Sequence, residues 1–364
     1  MMPNSATNAV LHTTPVGPSS DPATNALIAG VRGNPVAMIN FARTFLLTSN
    51  RVEMARDLCR EAVALDPGSP RLKAMAQPVL SHGIGSWYYT MVQDDDRHAL
   101  YERAFAEVIQ AGCTVLDIGA GTGLFAMMAA RAGAARVIAC ERDKPVADAA
   151  RAIVAANGLS DKVTILCKDS RELRIGEDMD EPADVLLWDN LANNLFGVGC
   201  AGTIEDARVR LVKPGAPILP WRAEVIVAPA RDLRPENRRM GDAHGYDMRA
   251  FNALHPASLT MPRPQMEVMS EGAPLFDVDF GTTRHFRADE GTVMVECAAG
   301  RIDGVAQWLR FHLANGIVYD TSADTVTAFG TQFHPIDPVD NAVGRPVTIG
   351  GGHDCANTWF WVEP

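Results

Sequence analysis

The sequence lacks any apolar run long enough to cross a membrane, because its best candidate, residues 121–139, is interrupted by Arg131 and Arg136. Its N-terminus has no positively charged region followed by an apolar stretch, so we expect no secretion signal. Basic residues are scarce too: 33 Lys and Arg stand against 44 Asp and Glu, with a formal net charge of -11. Proteins that bind a phosphate backbone usually carry an excess of Lys and Arg. We therefore expect neither a nucleic-acid partner nor a membrane.

The cysteines and histidines lack the spacings of a disulfide framework or a metal site. The seven cysteines are odd in number and scattered, and none belongs to a Cys-x-x-Cys pair. His312, His334 and His353 lie far apart without ligand spacing. We therefore expect a reducing cytosol, hence a cytoplasmic protein, and no bound metal. Gly-x-Ser-x-Gly is also absent, so Ser-His-Asp catalysis has no support.

The sequence does contain a glycine-rich turn between a predicted buried strand, residues 115–118, and a predicted helix. Gly119, Gly121 and Gly123 alternate with other residues, and Asp117 stands two positions before the first of them. Glycine lets the backbone come close to a ligand, and the free N–H groups of the helix can donate to it. The Gly-x-Gly-x-Gly spacing is shorter than that of the dinucleotide motif. We interpret the turn as a loop that binds S-adenosylmethionine (SAM).

Acidic residues follow the next two predicted strands. Glu141 ends the strand 136–140, where a carboxylate can accept hydrogen bonds from both hydroxyls of a ribose. The alternative is a solvated glutamate at the end of a loop. Asp169 and Ser170 follow the strand 162–166, where an adenine amino group is usually received. Together these segments predict a Rossmann-like α/β domain that binds SAM.

The N-terminal part is predicted to be a tail followed by helices. Residues 1–26 are rich in Ser, Thr, Pro, Asn and Ala without apolar periodicity, and we expect a disordered tail. Residues 27–80 show a helical pattern that resembles one degenerate tetratricopeptide (TPR-like) unit. One such unit cannot bury its apolar face alone, so it should pack on the catalytic domain or on a partner. A helical brace is the favoured interpretation, and a docking segment is the alternative.

Three consecutive aromatic residues, Trp87, Tyr88 and Tyr89, precede the charged turn 94–97 and a predicted helix over residues 98–110. One interpretation is a lid over the cofactor, with Arg97 pairing with the carboxylate of SAM through its planar fork. The alternative is an aromatic run that packs in the core, followed by a surface arginine. We also expect the acidic residues of the turn to form a solvated helix N-terminus.

The second half predicts antiparallel β-structure. From Arg222 onward, short alternating runs are separated by Gly, Pro, Asn and Asp, as in residues 292–297, 307–313 and 347–352. A β-barrel or sandwich packed on the cofactor domain is the expected form. Residues 232–261 read as a long insertion. The predicted boundaries are therefore 81–222 for the SAM-binding domain and 223–364 for the β domain.

Several of these segments resemble the protein arginine methyltransferases. The similar segments are residues 96–102, 115–124, 127–134, 140–141, 157–163, 211–215 with Pro220, and 245–248. Most of the chain, about residues 85–335, takes part. The chain is most similar to the divergent branch with a duplicated core or tetratricopeptide repeats, as a bacterial-type member. The resemblance implies SAM as cofactor, a Rossmann-like domain followed by a β-barrel, and a homodimer made by a helical arm near residues 232–261.

The resemblance also assigns the cofactor contacts. Arg97 would hold the carboxylate of SAM, and Glu141 would hold the ribose. The methionine part would lie along the glycine backbone, and the adenine would lie by two residues after strand three. The full candidate set is Arg97, Asp117, Gly119, Gly121, Gly123, Glu141, Asp169 and Ser170.

The loop after predicted strand four, residues 183–188, departs from the family. The family clamps a guanidinium between two glutamates nine residues apart, whereas here Asp189 takes the first place and Val198 the second. The nearby asparagines supply hydrogen bonds but no charge. The family's Thr-His-Trp signature is also missing, because residues 328–330 read Ala-Phe-Gly if Gln332 matches the family's Gln. The candidate catalytic residues are Asp189, Asn190 and Asn194, and the candidate acceptor-binding residues are Trp87, Tyr88 and Asp189.

These departures lead to three predicted functions. The first is a SAM-dependent N-methyltransferase acting on a small guanidino or amino compound, such as free arginine or a natural-product precursor. SAM is already activated, so the protein needs mainly in-line positioning and a way to take up a proton. The second is a SAM-binding protein without activity that recruits a partner. The third is methylation of arginine in a peptide, with Glu205 or Asp206 as the second acid.

Overall fold

The structure is a computed structural model, and it describes residues 21–197, 199–235, 239–261, 263–283, 286–322 and 329–363. The chain divides into two compact units, Met1–Gly85 and Ser86–Pro364. Among the described residues, no helix combines the length and the apolar character that crossing a membrane requires. Of the predicted tail, residues 1–20 lie outside the described residues.

The first unit is built from helices, three of which begin with a side-chain cap. The helices are α1 (Pro22–Val31), α2 (Pro35–Phe41), which continues into a π-helical turn (Ala42–Leu46), α3 (Val52–Leu65) and α4 (Pro70–Leu80). Asp21, Asn34 and Ser69 each accept a backbone N–H from the first turn that follows, and a proline occupies the first helical position each time. Helix α1 includes residues 22–26, so the predicted tail extended too far, because a capping Asp-Pro pair starts the helix there.

The second unit begins with two helices and a parallel sheet. Helices α5 (Trp87–Val92) and α6 (Asp95–Val108) precede β1 (Thr114–Ile118), α7 (Leu124–Arg131), β2 (Arg136–Cys140), α8 (Lys144–Ala156), β3 (Val163–Leu166), β4 (Val185–Trp188), α9 (Cys200–Arg210) and β5 (Ile218–Leu219). The strand order is β3-β2-β1-β4-β5, and all neighbours are parallel. The chain reverses its direction of winding between β1 and β4, and a crevice forms at their carboxyl ends. The predicted Rossmann-like fold is confirmed.

The rest of the second unit is an antiparallel β domain, as predicted. Its strands are β6 (Arg222–Asp232), β7 (Asp242–Ala243), β8 (Tyr246–Asp247), β9 (Leu259–Thr260), β10 (Met266–Val268), β11 (Ala273–Asp279), β12 (Asp289–Val295), β13 (Gly300–Ala314), β14 (Ile317–Asp320), β15 (Gln332–Asn341), β16 (Val347–His353) and β17 (Thr358–Glu363). One sheet has the order β10-β6-β13-β15-β9, with β11 also on β6 and β14 on β13. A second sheet has the order β12-β16-β17.

The predicted insertion near residues 232–261 differs from the helical arm that the resemblance implied. Its described part contains the small β7–β8 hairpin and a 3-10 helix (Arg249–Leu254), and no α-helix. His244 and Gly245 both have positive φ, 49° and 84°, which is the geometry of a tight hairpin turn. This turn chemistry sets a hairpin where the sequence similarity indicated a helix.

The parallel sheet and the β domain share one apolar core. Trp188, at the end of β4, is fully buried, and its ring meets that of Phe280 edge to face at 4.8 Å between centroids. Phe280 follows β11, so this contact joins the two sheets beside the crevice. The buried Trp188 therefore fixes the position of the end of β4, where the following loop begins.

Candidate active site

A cavity of about 460 Å³ opens at the carboxyl ends of β1 and β4. The predicted residues that line it are Trp87, Tyr88, Arg97, Asp117, Gly119, Gly121, Glu141, Asp169, Ser170, Asp189 and Asn190. They come from α5, from the first turn of α6, from β1 itself and from the loops after β1, β2, β3 and β4. The fold thus gathers into one place residues that extend from position 87 to position 190 of the sequence.

The glycine turn forms the floor of the cavity. Gly119 and Gly121 have φ of 80° and 52°, in the left-handed region. A Cβ atom on Gly119 would lie 3.1 Å from the Cβ of Asn190, and one on Gly121 would lie 3.2 Å from the ring of Tyr88. The two glycines therefore leave room for neighbours that themselves line the cavity.

Gly123 does not line the cavity, in contrast to the prediction. It is the last residue before α7, with φ of 79°. A Cβ atom there would lie 3.5–3.7 Å from side chains of Val154, Ala150 and Ile165. The third glycine thus serves the close packing of α7 on α8 and β3, so we withdraw it as a contact of the methionine part of SAM.

Glu141 ends up buried at the rim of the glycine turn. It is 7% exposed, which excludes the alternative of a solvated glutamate. Its carboxylate accepts hydrogen bonds from the backbone N–H of Gly121 at 3.1 Å and of Asp143 at 2.9 Å. These two bonds leave further acceptor sites on the oxygens, which face the cavity that Glu141 lines.

Two other carboxylates of the cavity have opposite surroundings. Burial and the neighbouring Glu141 raise the pKa of Asp117 to about 7, and the opposing charge of Arg97 only limits the rise. Asp169 accepts two hydrogen bonds from the guanidinium of Arg171, both at 2.8 Å, and this pairing lowers its pKa to about 2. Asp117 is therefore partly protonated near neutral pH, whereas Asp169 is a carboxylate.

Arg97 is a buried cation in an aromatic setting. Its side chain is 3% exposed, so it is not the surface arginine of the alternative interpretation. Its guanidinium lies 4.4 Å from the ring centre of Phe125 and 5.5 Å from that of Tyr101, and it forms an ion pair with Asp189. Burial lowers its pKa. Its buried Nε has no hydrogen-bond partner among the described residues. A buried cation with an unused donor is suited to a ligand carboxylate.

Asp189 is held by two neighbours. Its Oδ2 receives the guanidinium of Arg97, and its Oδ1 accepts a hydrogen bond from the hydroxyl of Tyr101 at 2.8 Å. A carboxylate offers about four lone-pair sites, so each oxygen can still accept one more donor. Sequence reasoning did not select Tyr101. The available signal was its position four residues after Arg97, which places both side chains on one face of α6.

Helix α5 carries the aromatic run and borders the cavity. Trp87 is 57% exposed and Tyr89 is 72% exposed, so the alternative of core packing is wrong for these two residues. Burial raises the pKa of Tyr88 to about 12, with the charge of Glu141 contributing. At the start of α6, Asp94 is buried rather than solvated, since it accepts the hydroxyl of Tyr319 at 2.6 Å and caps the helix at the N–H of Arg97.

We call residues 189–197, between β4 and α9, the acceptor loop. Asp189, Asn190 and Asn193 line the cavity, but Asn194 does not. The amide of Asn194 donates to the carbonyl of Ala356 at 3.1 Å and accepts the N–H of Gly197 at 3.1 Å. Its predicted catalytic role is therefore wrong, because both ends of its amide shape the loop. Val198, at the place of the second glutamate, lies outside the described residues.

Known proteins match this chain in sequence. The family model of the ribosomal protein L11 methyltransferase (PrmA) matches residues 100–214. An arginine N(omega)-methyltransferase from Streptomyces achromogenes subsp. streptozoticus is 30% identical over 312 residues, which cover 83% of this chain and 83% of that protein. A protein arginine N-methyltransferase 7 from Oryza sativa subsp. indica is 30% identical over 261 residues, but the match covers only 36% of its length.

The chain belongs to the arginine methyltransferase family. It is a SAM-dependent methyltransferase. The Trypanosoma brucei PRMT1 enzyme-prozyme complex with AdoHcy has a TM-score of 0.66 at 22% identity, over 78% of this chain and 98% of that chain. Arabidopsis thaliana protein arginine methyltransferase 10 has a TM-score of 0.61 at 21% identity, over 72% and 86%. At these identities the solved structures establish the shared fold.

The acids that could have replaced the family's second glutamate lie elsewhere. Glu205 accepts the backbone N–H of Phe286 at 2.8 Å, and Asp206 pairs with Arg210 at 2.6 Å. Neither lines the cavity, so the prediction that one of them completes the clamp is wrong. Both lie on α9 and are engaged in local structure.

The place of the family's Thr-His-Trp signature contributes an aromatic wall. Phe329 lines the cavity and is 5% exposed, whereas Ala328 lies outside the described residues. Its ring lies 5.0 Å from that of Phe311. Among the described residues, no group of three or more His, Cys, Asp or Glu side chains is arranged to hold a metal ion.

Proposed function

We propose that this protein transfers a methyl group from SAM to a terminal nitrogen of a small guanidino or amino compound, with free arginine as the leading candidate. The observation that carries the proposal is the acceptor end of the cavity. Of the residues in the described loop 189–197 that line the cavity, Asp189 is the only carboxylate, and the lining residues Asn190, Asn193 and Phe329 have neutral side chains. Asp189 is also paired with Arg97, so little net negative charge faces the acceptor.

The cavity fits the cofactor by its own chemistry. Glu141 offers free acceptor sites for two hydroxyl groups, and Arg97 offers a buried donor to a carboxylate. The positive φ of Gly119 and Gly121 keeps the floor open. When bound, SAM supplies a methyl group on a positively charged sulfur, ready for displacement.

The remaining task of the chain is to orient the acceptor and to take up a proton. The acceptor nitrogen forms a bond to the methyl carbon while the carbon–sulfur bond breaks, and one proton leaves the nitrogen. Asp189 still has an acceptor site on each oxygen, so it directs an N–H of the acceptor and turns the lone pair toward the methyl group. The same carboxylate can take up the proton.

The similarity to the Streptomyces protein supports the small acceptor. That protein is named for the ω-nitrogen of arginine, and the match extends over 83% of both chains. Peptide arginine is the second candidate. The protein arginine N-methyltransferase 7 of rice supports it, although this chain spans 36% of that protein.

The test uses SAM labelled in its methyl group. The full chain is incubated with free L-arginine, with agmatine and with an arginine-containing peptide, and the products are separated by size. Label on a small compound supports the proposal, and label on the peptide alone replaces it with peptide methylation. SAM binding by titration without any transfer would identify a cofactor-binding protein that lacks turnover.

Substitution of Asp189 tests the assigned chemistry. Asp189→Asn keeps the size of the side chain but removes the proton acceptor, so we expect turnover to fall by about 100-fold or more. SAM affinity in a titration should stay within about tenfold, since Arg97 and Glu141 remain. Asp206→Asn, which changes a carboxylate outside the cavity, is the matched control. Full activity of Asp189→Asn would contradict the catalytic role.

The proposal includes a homodimer made through the insertion. Its hairpin and 3-10 helix carry large apolar side chains that are strongly exposed: Tyr246 and Leu254 are each 72% exposed, and Phe251 is 55% exposed. Such a patch is a candidate interface. We expect the double substitution Phe251→Ser with Leu254→Ser to give monomers in light scattering. Val343→Ser, at a site that is 71% exposed outside the patch, should not.

The cytosol is the proposed compartment. All seven cysteines are free thiols, as in a reducing environment. Cell fractionation with a soluble marker tests it, and recovery in the membrane pellet would overturn it.

A further inference from the structure

A fully buried glutamine of the β domain holds the backbone of the acceptor loop. Gln307 on β13 is 0% exposed, and its Nε2 donates to the carbonyl oxygen of Asn193 at 2.8 Å. A carbonyl oxygen only accepts, so the orientation of the amide is fixed by chemistry. Asn193 lines the cavity, as does Leu191 two residues before it. The hydrogen bond from Gln307 therefore holds a part of the cavity wall.

The other end of the same amide is also engaged. Oε1 of Gln307 lies 3.4 Å from Nε2 of His334 on β15, and in the tautomer with the hydrogen on Nε2 the ring donates to this oxygen. Burial lowers the pKa of His334 to about 4, against a smaller opposing effect of the backbone of Ala257. The ring is therefore neutral at neutral pH, and the amide of Gln307 contacts His334 at one end and the backbone of Asn193 at the other.

Two further contacts tie the loop to the second sheet of the β domain. The amide of Asn194 donates to the carbonyl of Ala356 at 3.1 Å. The ring of Phe196 is stacked on that of His353, with 3.7 Å between centroids and 6° between planes. Polar and aromatic contacts thus hold the loop from one side, while Asp189 is held from the other by α6.

The loop needs such support because its backbone is strained. Leu195 is buried and has φ of 70°, in the left-handed region that a leucine side chain disfavours. A residue in this region persists when the surrounding structure over-determines it. Without its contacts to the β domain, the loop would relax toward ordinary φ values and move the side chains that face the acceptor.

We infer that Gln307 is a positioning residue for methyl transfer, through which the β domain sets the geometry of the acceptor loop. The inference rests on the proposed function, since it assigns the loop to the acceptor. Gln307 touches neither the glycine turn nor Glu141 in the described contacts, so its effect belongs to the acceptor step and not to SAM binding. A group that acts only through loop position changes kcat and the KM for the acceptor.

The test replaces Gln307 by methionine, which has a similar length and no hydrogen-bonding amide. Hydrogen–deuterium exchange should become at least about tenfold faster in peptides covering residues 189–197 and unchanged in those covering 115–123. With the acceptor that the wild type methylates, kcat should fall roughly 10- to 100-fold. SAM affinity should stay within about twofold, because the glycine turn makes no contact with Gln307.

Asn341→Leu is the matched control, because Asn341 is another buried amide of the β domain. It ties the backbone of Arg345 through two hydrogen bonds of 2.9 Å, away from the acceptor loop. A general loss of stability would affect both variants, whereas only Gln307→Met should change the loop and the acceptor KM. If Gln307→Met fails to fold, Asn194→Ala at the loop's second tether should give the same exchange pattern.

The outcomes separate the two proposals. Unchanged exchange in the loop of folded Gln307→Met, or of Asn194→Ala in its place, would overturn the inference. A wild-type protein that methylates no guanidino or amino acceptor would overturn the proposed function, and loop exchange would still decide the positioning role.

Discussion

At the scale of single residues, the site gives chemically similar side chains different properties. Four carboxylates line the cavity: Asp117 lies in β1, and Glu141, Asp169 and Asp189 follow β2, β3 and β4. Asp117 is buried beside another acid, Asp169 is bound by an arginine, Glu141 accepts two backbone N–H groups, and Asp189 is held by Arg97 and Tyr101. These surroundings, and not the residue types, give the four carboxylates their different properties.

The raised pKa of Asp117 predicts a pH dependence of stability. Its pKa is about 7 in the folded protein against 3.8 for the free group, so the folded state binds more protons between these values. The free energy of unfolding therefore falls as the pH rises through that range. Asn cannot ionise, so Asp117→Asn should gain on the order of 2 kcal/mol relative to wild type between pH 5 and pH 7.

Thermal or urea unfolding across this pH range measures the effect. Asp96→Asn, at an exposed position, controls for the loss of a carboxyl group as such. Parallel pH curves for wild type and Asp117→Asn would show that Asp117 does not titrate in this range.

Glu141→Ala should weaken SAM binding strongly. The substitution removes the acceptor of two backbone N–H groups as well as the proposed ribose contact. Losing two charge-assisted hydrogen bonds corresponds to a decrease in affinity of about 100-fold or more. Calorimetric titration with SAM measures it, with the exposed Glu102→Ala as control. An unchanged affinity would refute the assignment of Glu141 to the cofactor.

At the scale of elements, the geometry of a short turn decides which of its residues line the cavity. The three glycines of the turn after β1 share positive φ, yet two open the cavity floor and the third packs α7 on its neighbours. Helix α6 contributes differently, since its first turns present Arg97 and Tyr101 to the same carboxylate. The position of a residue within its turn or helix therefore decides whether it lines the cavity or packs against neighbouring elements.

Alanine at two of these glycines should separate the two roles. In Gly121→Ala the new Cβ would lie 3.2 Å from the ring of Tyr88, a cavity residue that must move, so SAM affinity should fall about tenfold. In Gly123→Ala the new contacts of 3.5–3.7 Å are ordinary, but the left-handed backbone should cost about 1 kcal/mol of stability. Titration and thermal unfolding of both variants measure this. Equal losses of SAM affinity would contradict the distinction.

At the scale of the whole molecule, residues 86–364 form one compact unit around the cavity. The parallel sheet supplies the cofactor side, and the β domain supplies Phe329 and the tethers of the acceptor loop. The shared core between the two sheets explains why the loop can be held from both sides. The proposed activity depends on this joint packing.

Trp188→Ala should destabilise this entire unit. The side chain of Trp188, at the end of β4, is fully buried against Phe280. Its removal leaves a large cavity, which should lower the free energy of unfolding by about 3–5 kcal/mol. Trp188→Phe should cost less, because Nε1 of Trp188 has no hydrogen-bond partner among the described residues. Urea unfolding measures both, and Trp359→Ala at a half-exposed site is the control. A small effect of Trp188→Ala would show that the two sheets unfold independently.

Much of the fold could be predicted from local patterns. The alternation of apolar strands and helices around the glycine turn gave the parallel sheet, and the turn residues after Arg222 gave the antiparallel strands. The errors lie where local patterns carry little information. Asn194 looked catalytic because it lies five residues after Asp189 in the same loop, and Gly123 looked like a ligand contact because it repeats a spacing.

The sequence by itself determined the cofactor fold, because strand, glycine turn and terminal acid follow one another within short stretches of chain. Tertiary structure alone decided the acceptor side. The pairing of Arg97 with Asp189 joins residues 92 positions apart, and the bond of Gln307 to the backbone of Asn193 spans 114 positions. Contacts of this kind depend on how separate sheets pack against each other, and no spacing in the sequence encodes which side chains will meet.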